Sequence, residues 1–385
     1  MNKRKICVVI TARPSYSRVK TALQAIEDHE QLDLQIVLSG SSLLERYGSA
    51  YKVIEKDGFK VVEKIYNILE GGSKTSMAKT TGLAIMELST TFQNIKPDVV
   101  VTIADRFETV AASIAAAYQN IPLAHIQGGE VSGNIDEKVR HANTKFSDIH
   151  LVASEDARKR VIRMGENPDY VINTGCPSMD LAKEVMESPE LDFDPLVKYG
   201  GVGVNVSWTD GYLVVMQHSV TTEFENAKKD IEETLGAIHE LNIPTFWFWP
   251  NVDAGSDGVS KGIRVFREKN KLSNIHFFKN MEPNDFLRLI KNSKCLIGNS
   301  SVGIRESAFL GVPVVNIGTR QYGRQRAKGV VDCDHNKDMI KDAINIHMKH
   351  GHYESELIYG DGTAGLKIAN ILATIKLTYH KTITY

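Results

Sequence analysis

Short apolar, β-branched runs alternate along this chain with longer segments of helical period, and this alternation limits the fold more than any other feature. In the first half the runs are 6–12, 34–40, 99–104, 123–129, 149–154 and 171–175. In the second half they are 213–218, 245–250, 275–279, 295–299 and 312–318. Most are continuously apolar, as parallel strands covered on both faces require. Between them, segments such as 17–27, 76–94, 106–119 and 222–241 carry helical spacing. Strand–helix alternation at this spacing predicts an α/β fold of open, doubly wound sheets.

A chain of 385 residues suggests two domains. The alternation breaks between 181 and 208, which holds Pro189, Pro195 and the Gly200-Gly201 pair. The expected division is therefore 1–185 and 186–364. A helical segment at 365–385 either completes the second domain or crosses back to the first. With 46 basic against 47 acidic residues, no basic groove for nucleic acid is expected. The N-terminal run is too short for a signal-peptide core, and no stretch has the length to span a bilayer. Cys7, Cys176, Cys295 and Cys333 are scattered without zinc or redox spacing. They read as reduced thiols of a cytoplasmic protein. No His/Cys/Asp cluster has metal spacing, so no metal and no cofactor are expected. No Walker A sequence is present and the first strand lacks the G-x-G-x-x-G turn, which argues against ATPase and NAD-dependent chemistry.

Ligands of open α/β sheets sit beyond the carboxyl ends of the strands, so the residues following each run are the candidates. After the first run come Arg13, Ser15 and Ser17, where either serine is a candidate cap and Arg13 sits at a helix start suited to an anion. The plainer reading is a capped helix with a solvated arginine. After 99–104 come Asp105 and Arg106, with Asp105 either functional or a cap. After 123–127 comes Gly128-Gly129-Glu130, then Asp136 and Glu137 at a helix start, with Arg140 and His141 one turn on. Acids there are often only dipole partners. Three carboxylates (Asp105, Glu130, Asp136) at one sheet edge suit proton transfer, because burial and repulsion push their affinities apart.

In the second half, His218 follows a strand and suits charge stabilisation on a departing phosphate, or a plain hydrogen bond. Asn251 lies at another polar tip. The segment Gly298-Asn299-Ser300-Ser301-Val302-Gly303 runs from a strand into a turn and an expected helix, a cradle for a pyrophosphate from Ser300, Ser301 and Gly303. Glu306 beyond it is placed to accept ribose hydroxyls. Arg320, Arg324 and Arg326 follow the next strand as anion contacts or as a solvated basic loop.

These stretches together resemble the hydrolysing UDP-N-acetylglucosamine 2-epimerases of sialic acid and legionaminic acid precursor synthesis. The resemblance runs from the Arg13 segment to Tyr359-Gly360-Asp361-Gly362. It is most specific at Asp105-Arg106-Phe107-Glu108, Gly128–Gly133, Arg140-His141-Ala142, Gln217–Thr222, Pro250–Ser256, Gly298–Ser301 and Gly318–Gln321. It implies two Rossmann-like domains of glycosyltransferase-B type with the active site in the interdomain cleft, and a homodimer or homotetramer. It also implies release of UDP and N-acetylmannosamine from UDP-GlcNAc, by anti elimination to 2-acetamidoglucal and syn hydration. Asp105, Glu130 and Asp136 match the family's acid/base positions, and His218 matches the histidine beside the diphosphate. Arg13, Ser17, Arg106, Asn251, Ser300, Ser301, Glu306 and Arg320 match positions that bind UDP or orient the sugar.

One departure stands out: many members carry an acid where this chain has Ser15, near the sugar. That leaves UDP-N,N′-diacetylbacillosamine as a second candidate substrate, although the Glu130–Gly133 stretch is closer to the GlcNAc-specific form. The sequence is also compatible with a non-hydrolysing 2-epimerase, with a glycosyltransferase of the same fold and with a non-catalytic nucleotide-sugar sensor.

Overall fold

The computed structural model describes residues 3–45, 50–69, 73–104, 106–131, 134–220, 224–250, 256–270 and 272–384, leaving aside the side chains of 134, 135, 224, 256 and 257. The chain opens with β1 (Arg4–Ile10), α1 (Arg13–Glu27), β2 (Leu32–Ser39), α2 (Ala50–Lys56), β3 (Val61–Ile65) and α3 (Lys74–Ile95). It continues through β4 (Val99–Ile103), α4 (Thr109–Tyr118), β5 (Leu123–Ile126), α5 (Asn134–Phe146), β6 (Ile149–Val152), α6 (Glu155–Arg163), β7 (Val171–Asn173) and α7 (Ser178–Glu187). Then follow α8 (Pro195–Tyr199), β8 (Val202–Gly203), β9 (Leu213–Met216), α9 (Ala227–Leu241), β10 (Thr245–Phe248), α10 (Ser256–Lys269), β11 (Ile275–Phe278) and α11 (Pro283–Lys291). The last elements are β12 (Cys295–Gly298), α12 (Glu306–Leu310), β13 (Val314–Ile317), β14 (Val330–Cys333), α13 (Lys337–His350) and α14 (Ala364–Thr374).

The strands form two seven-stranded sheets, ordered β3-β2-β1-β4-β5-β6-β7 and β14-β13-β12-β9-β10-β11-β8. Every pairing is parallel except β8 on β11. The period-2 geometry of β1 sends Ile6, Val8 and Ile10 to one face, against Val19, Leu23 and Ile26 of α1. Cys7 and Val9 point to the other face, against Leu88 and Phe92 of α3 and the alanines of α4. In the second sheet, Leu213, Val215 and Ile297 meet Ile231, Leu235 and Ile238 of α9. All four cysteines are buried, and none is in a disulfide. No described helix is long and apolar enough to cross a membrane.

Three strands escape the sequence reading: β3, β8 and β14. All are edge strands, where only one side is paired and the residues are partly exposed. Their short, half-polar sequences are how edges avoid unwanted pairing, so they carry no continuous apolar run.

The chain divides into two compact units, one of residues 1–180 with 359–385 and the other of 181–358. These limits fall a few residues before the expected 185 and 364. The difference has a local cause. Cys176 N donates to the Tyr359 carbonyl at 2.7 Å, and Asp180 accepts from Ala364 N at 2.8 Å and Gly365 N at 2.7 Å. Thr363, the N-cap residue of α14, makes no side-chain cap, so a carboxylate from far back in the chain caps this helix instead. Ile368, Ala369 and Leu372 of α14 then complete the core beside α1.

Asp180→Ala removes both acceptors. It is expected to lower unfolding stability by about 1–2 kcal/mol, in the range of lost N-caps. A lower urea midpoint with unchanged slope, together with faster amide exchange across 364–374, would show this. Asp180→Asn should fall between the two.

Candidate active site

In the first sheet the chain winds from β1 through β2 to β3, then returns to lay β4 on the other side of β1. Loops leaving β1 and β4 therefore diverge and open space at the strand ends. The helix after β1 begins at Arg13, not at Ser17 as the sequence spacing suggests. Pro14 in its first turn supplies a preset helical φ, so the helix starts early and both candidate capping serines lie inside it. Ser15 is buried, and the Ser17 hydroxyl donates to the Arg13 carbonyl at 3.3 Å. The first turn of α1 holds no acid and no side-chain cap, and it carries Arg13. That is the polarity an anion favours.

Asp105, after β4, lies outside the described residues. Helix α4 starts at Thr109, three residues later than the 106 expected from the sequence. The turn between is occupied by Arg106 and Glu108. Glu108 is 1% exposed, and its Oε1 accepts from Arg106 Nε at 3.4 Å. A buried carboxylate thus fixes the direction of a half-exposed arginine at a strand end. At the neighbouring tip, β5 leads into Gln127-Gly128-Gly129. Gly129 has φ +74°, and a Cβ there would stand 2.6 Å from the Ala157 carbonyl oxygen, so only glycine lets the turn press on α6. The result is that Glu130 is 5% exposed. A carboxyl so far out of water is suited to hold or release a proton during a reaction. Asp136 differs from it: it is exposed, in the first turn of α5. One turn on, His141 Nε2 lies 2.8 Å from Glu137 Oε1.

The second sheet repeats the reversal, with β12 laid beside β9 after the excursion through β10 and β11. Here the two tips are locked together. Asn299 Oδ1 accepts from His218 N, and Asn299 Nδ2 donates to the His218 carbonyl, both at 2.8 Å. Gly298 precedes this lock at φ +131°, where a Cβ would lie 2.1 Å from the Met216 carbonyl oxygen. Arg320 NH1 and Gln321 Nε2, from the loop after β13, both donate to the Asn299 carbonyl, at 3.0 and 2.8 Å. His218 is 6% exposed. Burial, aided by the Arg320 charge, pushes its pKa down to about 3, so the imidazole is neutral at pH 7.

After β12 come a turn and then a helix, in the order expected, but both are short: one 3-10 turn, Ser301–Gly303, and the five-residue α12. A helix this short adds little macrodipole, so anion binding there depends on local N–H groups, hydroxyls and arginines. Gly303 is buried in the turn, where a Cβ would meet Val314 at 3.0 Å. Ser300 precedes the turn, and Ser301 Oγ accepts from Arg305 NH2 at 3.1 Å. Glu306 is 7% exposed at the start of α12, and its buried Oε2 accepts no hydrogen bond among the described residues. Arg326 Nε donates to Asp332 Oδ2 at 2.7 Å. Asn251 and residues 221–223 lie outside the described residues.

His125 and Arg160 were missed in the sequence, and Glu108, Gln321, Asn299 and Arg140 stood there only as members of motifs. Asn299 had a legible signal, a polar residue closing an apolar run. Glu108 pairs with Arg106 two residues away, and the rest act through partners distant in sequence. Among the described residues, no group of three His, Cys, Asp or Glu side chains is arranged to hold a metal ion.

A family model described as UDP-N-acetylglucosamine 2-epimerase matches residues 24–373. The chain is 31% identical over 374 residues to a UDP-N,N'-diacetylbacillosamine 2-epimerase (hydrolyzing) of Legionella pneumophila, covering 97% of each. It is 33% identical over 348 residues to the polysialic acid biosynthesis protein P7 of Escherichia coli, covering 89% of this chain and 86% of that one. Among solved structures, it superposes on a UDP-GlcNAc 2-epimerase from Neisseria meningitidis bound to UDP-GlcNAc with a TM-score of 0.76. That match spans 96% of this chain and 99% of the other at 19% identity, and it shows a shared fold. With two doubly wound parallel sheets and a family match over nearly its whole length, the chain belongs to the UDP-N-acetylglucosamine 2-epimerase family.

Proposed function

We propose that this enzyme is a hydrolysing UDP-GlcNAc 2-epimerase that converts UDP-GlcNAc and water into N-acetylmannosamine and UDP. The observation that carries the reading is the reversal point of the second sheet. There a neutral buried His218, the Ser300–Ser301 hydroxyls and Arg320 gather round the Asn299 lock, with the Glu306 carboxylate just beyond. Arginine, hydroxyls and a neutral imidazole suit a diphosphate, and a buried acceptor oxygen suits ribose hydroxyls. The similarity to a relative named as hydrolyzing supports release of UDP over its retention.

In this mechanism the C1–O bond breaks first, and UDP departs with the electron pair. The C2 proton is weakly acidic, so leaving-group stabilisation carries the barrier, at about 1.4 kcal/mol for each tenfold in rate. The C2 proton passes to a carboxylate among Asp105, Glu130 and Asp136, closing the C1–C2 double bond of 2-acetamidoglucal. A carboxylic acid then returns a proton to C2 with inverted configuration, and water adds its hydroxyl to C1 while its other proton passes to a carboxylate of the same set. Arg13 and Arg106 are assigned to substrate anchoring, with Ser17 and Asn251 at the same task.

A second reading keeps the chemistry and changes the sugar to UDP-N,N′-diacetylbacillosamine. It draws on the end-to-end similarity to the Legionella pneumophila relative. Presenting both UDP-sugars separately and following phosphorus by NMR decides between them. Free UDP together with N-acetylmannosamine, formed from UDP-GlcNAc without any acceptor, is the expected outcome. UDP-ManNAc with no free UDP, or turnover of the diacetylbacillosamine substrate alone, overturns the assignment.

Glu130→Gln should lower kcat by roughly 10²–10⁴, the usual worth of a proton-transfer group, while UDP affinity stays within about threefold. Calorimetric titration with UDP alongside steady-state kinetics checks both.

His218 gives a pH prediction. Its folded pKa of about 3 lies below the ordinary 6.5. Between those values the unfolded chain takes up a proton that the folded chain refuses. The contribution of this imidazole to stability is therefore intact above pH 6.5 and declines as pH falls towards 3. Because kcat/KM reports groups of the free enzyme, its acid limb should not originate from His218. His218→Asn is expected to reduce kcat by roughly 10²–10³, as for a lost charge-stabilising donor, without displacing that limb. A limb near the ordinary histidine pKa that vanishes in the variant would contradict the neutral role.

A further inference from the structure

The turn that carries Glu130 is built from backbone that does not hold its shape unaided. Gln127, the first residue after β5, has φ +63°, and Ala104, the first after the adjacent β4, has φ +61°. Side chains other than glycine enter this left-handed region only against a steric cost, and such residues persist where their surroundings over-determine them. Both tips are held from outside their strands, by groups from elsewhere in the first unit. Arg140 of α5 is 1% exposed, and its NH1 donates to the Gln127 carbonyl at 2.6 Å. Arg160 of α6 donates through NH1 to the Gly129 carbonyl, directly before Glu130. His125 is fully buried in β5 and donates from Nε2 to the Ala104 carbonyl at 3.0 Å. Its Nδ1 meets the Thr144 hydroxyl of α5 at 3.3 Å.

A buried guanidinium is an expensive group to keep in a protein interior. Spending it on the carbonyl of a left-handed residue makes sense where the direction of the next few residues matters. From this geometry we propose that Arg140 is a positioning residue for catalysis: by holding the Gln127 carbonyl, it fixes the turn that aims Glu130, with Arg160 bracing the same turn and His125 the neighbouring tip. The inference rests on the function proposed above for the catalytic part, and on the hydrogen bonds alone for the holding part. Arg140 itself is assigned no contact with substrate. Its effect is on where the carboxylate stands, and displacement by an ångström is enough to cost about 100-fold in rate.

The test uses Arg140→Met and Arg140→Lys in the full chain, with three measurements on each: UDP affinity by calorimetry, kcat and KM for UDP-GlcNAc, and amide exchange over residues 127–131. In Arg140→Met, UDP affinity and KM should stay within about threefold of the parent and kcat should drop about 100-fold, with faster exchange confined to the turn. Arg140→Lys, whose ammonium still reaches a carbonyl, should recover at least about tenfold of that loss. If the methionine variant does not fold, the lysine variant is read by the same criteria, with a smaller fall in kcat. Unchanged exchange over 127–131, or a fall in kcat matched by an equal fall in UDP affinity or in folded fraction, overturns the proposal. Should the parent protein itself turn over neither UDP-sugar while the turn loosens in Arg140→Met, the assigned reaction falls and the holding role of Arg140 stands.

Discussion

In each sheet one pair of neighbours breaks the order of the chain: β4 lies beside β1, and β12 beside β9. Everything chemically distinctive in the described structure hangs from these two reversals. Parallel strands all deliver their loops to one edge, and a reversal makes two of those loops turn away from each other. In the second sheet the gap is bridged by the paired hydrogen bonds between Asn299 and His218, which join the strand ends through one side chain. Gly298 makes that approach feasible, since any Cβ there would strike the Met216 carbonyl. Arg320 and Gln321 then converge on the carbonyl of the same asparagine. A single residue thereby sets the positions of an imidazole, an arginine and the Ser300–Gly303 turn.

The two units deal with charge in opposite ways. The second keeps its histidine neutral by burying it beside an arginine, so positive charge there resides on guanidinium groups whose protonation does not vary in the working range. The first withdraws acids from water at strand tips, Glu130 and Glu108, and holds the Glu130 turn with arginines from α5 and α6. Fixed positive charge suits a leaving diphosphate, and carboxyl groups suit movement of a proton. This division of labour matches a family whose members act on nucleotide sugars.

Legibility in the sequence followed burial. Central strands such as β1 and β4 are covered on both faces along most of their length, so most of their residues had to be apolar, and the runs were plain. The edge strands β3, β8 and β14 are half exposed and left no such trace. Helix starts were less legible, because capping can be non-local: α14 is capped by Asp180, a residue 184 positions away from Ala364. The early start of α1 at Arg13 and the late start of α4 at Thr109 displaced Ser17 and Arg106 from their expected settings. Glu130 was legible from its glycine-flanked turn. The groups that hold that turn were not, because Arg140 and Arg160 reach it from 13 and 31 residues away.

By itself, then, the sequence determined the alternation of strand and helix, the doubly wound class, and the polar residues that must follow each strand, since these depend on local pattern and on which stretches avoid water. Only the tertiary structure decided that Glu130 is buried while Asp136 is exposed, that His218 is neutral, and that the helix after β12 is five residues long behind a single 3-10 turn. Those properties come from neighbours brought together by folding: desolvation, a nearby charge and a close backbone approach are set by distances in space, which no spacing along the chain encodes.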